Sequence, residues 1–167
     1  MTEREWQACR DPEPMLRQVP AARHQRELRL FGAACARRVW RLLPGECRAA
    51  VEASERFAGG EIGGEELEAA VARAAEVAAA AFPGHSAPDA ASYATSAAVD
   101  ASSAWPRTAT NVMAAASCAA SAAGCDAGEA DEARYDEAFE RARRGELAAQ
   151  ADLLRALIAF PGEPPPA

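Results

Sequence analysis

The chain has 167 residues, half of them hydrophobic, and a net charge of −7. That length fits one domain, and the negative sign disfavours general nucleic-acid binding, which depends on neutralising phosphates. Forty-six residues are alanine and ten are aromatic, so the expected core is thin: a methyl side chain contributes well under the ~1.5–3 kcal/mol of a buried Leu or Phe.

Every basic residue is arginine, and the charge is unevenly spread. Residues 1–50 hold 10 Arg and 6 acids, a balance of +4, and residues 51–167 hold 8 Arg and 19 acids, a balance of −11. This asymmetry suggests charge complementarity within the chain. The longest uncharged stretch, 108–125, is rich in Ala, Ser and Thr and too polar for a membrane span. The start lacks the basic-then-apolar signal pattern. Five cysteines at unpaired spacings (Cys9, Cys35, Cys47, Cys118, Cys125) fit reduced thiols in a cytoplasm.

In chain order, Thr2 and Glu5 read as a capping box opening a helix to about Cys9. Asp11-Pro12 is a second start, an N-cap followed by proline at the first helical position. Residues 21–43 read as one helix. Leu28, Phe31, Cys35, Val39 and Leu42 fall on one face at 100° per residue, and Arg23, Arg26, Arg37 and Arg41 on the other. Leu30 and Trp40 break the pattern by lying on the arginine side. Pro44-Gly45 starts a helix to about Ala58, with Cys47, Val51 and Phe57 inward and Glu52/Arg56 as an i,i+4 pair. Gly59-Gly60 ends it, and Gly63-Gly64 completes a link.

Leu67, Val71, Ala74, Ala78 and Phe82 form the stripe of the next helix, which Pro83-Gly84 breaks. Residues 89–105 and 108–123 read as alanine-rich helices on propensity rather than periodicity. Gly124 to Gly128 reads as a turn. Residues 129–144 read as a charged helix with Tyr135, Phe139 and Ala142 inward and Glu137/Arg141 and Glu140/Arg144 paired, capped by Gly145. Residues 146–159 read as a last, strongly apolar helix. No segment alternates as a strand does. The expected fold is therefore all-α, an irregular alanine-rich bundle of about seven to eight helices. It forms a single domain over 1–160, with a subdivision near 59–64 left open and a disordered Pro-rich tail at 161–167.

The blocks T-E-R-E-W-Q-A-C-R-D-P-E-P-M-L, L-R-L-F-G-A-A-C-A-R-R-V-W-R-L-L and C-R-A-A-V-E-A-S-E-R-F-A-G-G resemble the amino-terminal region of an uncharacterised family of alanine-rich bacterial proteins. Q-A-D-L-L-R near the end is similar to a second block of that family. The chain departs from the pattern at Cys35-Ala36, where the family has adjacent cysteines, and after L-L-R. The resemblance implies no activity and no site residues.

Little catalytic chemistry is legible. Two separated histidines, His24 and His85, and no C-x-x-C or H-x-x-x-H give no metal site. No serine sits in a G-x-S-x-G context, and the carboxylates of 129–140 fit a solvated helix face. No catalytic, cofactor-binding or metal-binding residue is assigned, and no cofactor is expected. The best candidate is an interface of Arg23, Arg26, Leu30, Arg37, Trp40 and Arg41, because interfaces are enriched in Trp and Arg. The cover for this face is expected from the charged helix 129–144 or the apolar helix 146–159 of the same chain, or from a second chain. The expected function is a non-catalytic helical interaction or adaptor module, with a protein partner or a second copy of itself and no membrane. The alternatives are a thiol-dependent enzyme or redox protein, with Cys118 and Cys125 as the pair in question, and a nucleic-acid-associated protein using the arginine face of residues 23–41.

Overall fold

The computed structural model describes residues 1–81, 90–102 and 108–162. Phe82, His85, the Trp105-Pro106 break and residues 163–167 of the tail lie outside them. Among the described residues there are eight α-helices and no strand: α1 (Glu3–Ala8), α2 (Pro12–Leu16), α3 (Gln25–Arg38), α4 (Gly45–Ala58), α5 (Gly64–Ala81), α6 (Ala90–Ser102), α7 (Thr108–Ala130) and α8 (Tyr135–Leu157). The fold is an all-α bundle, and none of these helices is long and apolar enough to cross a membrane.

The helix starts follow their local chemistry. Thr2 accepts from the Glu5 N–H at 3.2 Å, and the Glu5 carboxylate accepts from the Thr2 N–H at 2.7 Å. Both donors would otherwise lack a partner at the helix end. That reciprocal bonding also lowers the Glu5 pKa. Asp11 accepts from the Glu13 N–H at 2.9 Å, with Pro12 at the first helical position. The end of α4 is equally local. Gly60 takes φ +76°, the Gly60 N–H reaches Phe57 O at 3.0 Å, and the Glu61 N–H reaches Arg56 O at 2.9 Å. This crossed pair of bonds needs a left-handed residue, which glycine supplies without a Cβ clash. Arg56 then ties across the link to Glu66 at 3.0 Å and Glu61 at 3.7 Å, rather than following the expected pairing with Glu52.

α3 lies at the centre, packed against α4, α6, α7 and α8. Leu28, Phe31, Cys35 and Val39 are buried as their spacing predicts, and Leu42 is half-buried at the core's edge. The expected helix over 21–43 is shorter than its pattern. It ends at Arg38, and Trp40–Leu42 form a 3₁₀ turn. Pro44 accounts for the end of that turn, because it forces Leu43 out of helical conformation, to ψ 132°. Around α3 the core is largely alanine: Ala94, Ala97, Ala98 and Ala101 of α6 and Ala115, Ala116, Ala119 and Ala122 of α7 are buried. These small side chains allow close approach. A Cβ added to Gly32 of α3 would lie 3.3 Å from the Ala101 Cα.

Two glycine expectations are corrected. The Gly124–Gly128 turn does not exist, since α7 runs through both residues to Ala130. Nor does Gly145 cap a helix: the two helices expected over 129–144 and 146–159 are one, α8. Of the described glycines, only Gly60 and Gly162 have positive φ. Gly124 and Gly128 instead serve as seats for rings. An added Cβ would lie 2.8 Å from Phe139 at Gly124 and 2.6 Å from Tyr135 at Gly128. The rings of Tyr135 and Phe139 stack with centroids 6.2 Å apart, closing α7 and α8 into a helical hairpin. Phe139 and Ala142 are half-buried and Tyr135 stays exposed. Along the outer face, Arg144 Nε donates to the Glu140 backbone carbonyl at 3.1 Å.

Gly145 has neither duty. It is exposed, and an added Cβ would meet nothing within 4 Å. Glycine in a helix interior costs about 0.5–1 kcal/mol relative to alanine. Gly145→Ala is therefore expected to stabilise the protein by about that amount, read as a higher urea midpoint at unchanged slope. A lower midpoint would show that Gly145 marks a real break.

Candidate functional site

The arginines of α3 and the turn after it divide into two sets. Arg37 reaches Glu55 of α4 through two bonds of 2.6 Å. Its guanidinium also lies 4.4 Å from the centroid of Trp40, with Arg48 at 5.6 Å from the same ring. Arg48 Nε further donates to the Trp40 carbonyl at 3.2 Å. Trp40 is thus covered by arginines of its own chain, one from α3 and one from α4. Arg38 pairs with Glu146 of α8 at 2.7 Å, and Arg41 pairs with Asp126 of α7. The acidic partners are Glu55, Asp126 and Glu146, none of which lies in the stretch 129–140. Nothing in the residue pattern along the chain singles them out.

The pair Arg38–Glu146 continues inward. Gln150 is fully buried, and its Nε2 donates to Glu146 at 3.0 Å and to the Ala116 carbonyl of α7 at 3.1 Å. One polar chain therefore joins α3, α8 and α7. Polar groups buried this way fix the relative positions of helices whose alanine faces would otherwise slide.

The remaining arginines of α3 face a groove. Gln25, Arg26 and Arg29 of α3, Phe57 and Ala58 of α4, and Gly64, Leu67 and Glu68 of α5 line an open space of about 490 Å³. Arg29 is only 6% exposed and lies at its floor. Its guanidinium is 5.0 Å from the Phe57 centroid, and Nη1 donates to the Ser102 carbonyl at 3.4 Å. Burial lowers the Arg29 pKa from its ordinary value, and the carbonyl and the ring face offset part of that cost. Arg26 is exposed at the rim, its Nε donating to the Ala58 carbonyl at 3.0 Å. Of the expected interface residues, Arg26 lines the groove, Arg23 is exposed a turn before it, and Leu30 is half-buried. Arg37, Trp40 and Arg41 lie toward the other end of α3. The single face read from the helix pattern therefore splits in two. Arg29, Phe57 and Leu67 were missed as site residues because each looks like an ordinary core or surface position until α4 and α5 converge on α3.

Three of the thiols, Cys35, Cys47 and Cys118, are poorly suited to nucleophilic chemistry. All five cysteines stand outside any disulfide. Burial pushes Cys35 and Cys47 up, and it raises Cys118 to about 11, helped by the neighbouring Asp100 carboxylate. A reactive cysteine needs the opposite shift. Cys118 and Cys125 sit two turns apart on the unbroken α7. Among the described residues, no group of three or more His, Cys, Asp or Glu side chains could hold a metal ion.

The shifts set a pH dependence. An unfolded thiol loses its proton near 9.0, whereas folded Cys118 keeps its proton to about 11. Between those values the native state binds more protons, so stability falls as pH rises. Denaturation midpoints are expected to drop from pH 9 towards 11, and Cys118→Ala should flatten that drop. An unchanged slope in the variant would remove Cys118 as a cause.

No family model matches the chain, and no curated protein or solved structure matches it either.

Proposed function

We propose that this chain is a non-catalytic helical interaction module that docks a protein partner in the groove between α3, α4 and α5. The observation that carries this reading is the groove itself, a preformed concavity with Phe57, Leu67 and Ala58 as its apolar wall and Gln25 and Arg26 at its polar rim. Concave apolar surface with a few convergent polar groups is the usual form of a binding site. The thiol-enzyme alternative is disfavoured by the upward shifts of Cys35, Cys47 and Cys118. The nucleic-acid alternative is disfavoured because Arg37, Arg38 and Arg41 are held by carboxylates. A cytoplasmic setting accords with five cysteines outside any disulfide.

The test is selection of random peptides, displayed on phage, against the purified chain. Selected peptides should bind the wild type and lose binding to Ala58→Trp, which fills the groove. Gly64→Trp serves as a second filling variant, since Gly64 has open space around it. Failure to enrich any peptide, or equal binding to the helical filled variants, would refute the reading.

A further inference from the structure

We propose that the segment docked in the groove carries an aspartate or glutamate beside a bulky apolar side chain, the acid meeting Arg26 and the apolar group meeting Phe57 and Ala58. This rests on the docking reading above and names its chemistry. The apolar half follows from the wall. Phe57, Leu67 and Ala58 bound a space of about 490 Å³, which is room for more than one side chain.

The acidic half follows from how the arginines are spent. Arg37, Arg38 and Arg41 each have a carboxylate partner in Glu55, Glu146 and Asp126. Arg26 is tied differently. Its Nε donates to the Ala58 carbonyl, which orients the guanidinium but cancels none of its charge. Arg23, a turn earlier, is exposed and forms no ion pair among the described residues. A chain of net charge −7 thus presents a local positive rim beside an apolar wall. A guanidinium already held by one bond loses less freedom on meeting a carboxylate, and its terminal nitrogens match carboxylate geometry. Arg29 forms the floor, and the proposal places no ligand bond on it. Glu68 stands among the α5 residues lining the groove. Like-charge repulsion there directs the acidic group to the α3 side and the apolar group toward α4 and α5.

The experiment compares three pools of short capped peptides. Each has a degenerate apolar pair, flanked by Asp/Glu in one pool, Asn/Gln in the second and Lys/Arg in the third. Retention on the full chain is measured at about 150 mM salt, where distant charges are screened. The acidic pool should be retained roughly tenfold better than the amide pool, the size of one charge-assisted bond. Arg26→Gln should erase that preference, and Arg26→Glu should reverse it toward the basic pool. Arg26 is exposed, and unchanged helical circular dichroism in each variant separates these effects from unfolding. Equal retention of the acidic and amide pools, or an acidic preference that survives Arg26→Glu, overturns the inference. If the pools then still bind the wild type and not Ala58→Trp or Gly64→Trp, the docking reading stands without it. If no pool distinguishes the wild type from the filled variants, the docking reading falls as well.

Discussion

Phe31→Ala is expected to destabilise the protein by about 3–5 kcal/mol, the usual range for truncating a buried aromatic. Phe31 is fully buried on the central helix α3. The core it belongs to is rich in alanines, which lack the long flexible side chains that could swing in to fill a void. The cavity should therefore persist, placing the loss toward the upper end of the range. Urea denaturation followed by circular dichroism would measure it. A variant with an unchanged midpoint would mean that the core is organised around some other residue.

The second large effect is expected at the α7–α8 hairpin. Gly124→Leu should cost about 1–3 kcal/mol, the range for overpacking a filled interface. Leucine is a far better helix former than glycine, so propensity alone predicts stabilisation, and the two effects have opposite signs. Packing should win because three atoms of the Phe139 ring lie within 3.2 Å of the position the new Cβ would take. The crowded atoms run from Cγ to Cε2, so the whole side chain must shift to make room. Adding Phe139→Ala should recover part of the loss, since it vacates the space the leucine needs. The double-mutant cycle measures this coupling. A Gly124→Leu variant more stable than the wild type would show that the glycine is merely a weak point in α7, as Gly145 is in α8.

These two glycines show where reading the sequence stops. The residues Thr2, Asp11, Pro12 and Gly60 act within a few positions of themselves along the chain. A capping hydroxyl or a left-handed glycine completes a helix end whatever packs above it, so those boundaries were legible. The inward face of α3 was legible for a similar reason, because apolar spacing at 3.6 residues per turn needs only one solvent-free side to give it meaning. Gly124, Gly128 and Gly145 carry the same local signal as Gly60 and do not end a helix.

The all-α class, most helix starts and the buried stripe of α3 were thus determined by the sequence alone, through interactions that span one or two turns. Which glycine breaks a helix and which seats a ring was decided by the tertiary structure. So were the pairing of Arg37, Arg38 and Arg41 with Glu55, Glu146 and Asp126, and the convergence of Arg26, Phe57 and Leu67 on one groove. The physical reason is common to all of these. A glycine costs about 1 kcal/mol in a helix interior and an exposed ion pair contributes about 0.2–1 kcal/mol. Terms that small are outweighed by the packing of α7 along α8 and of α4 and α5 around α3, and that packing joins residues far apart in the chain.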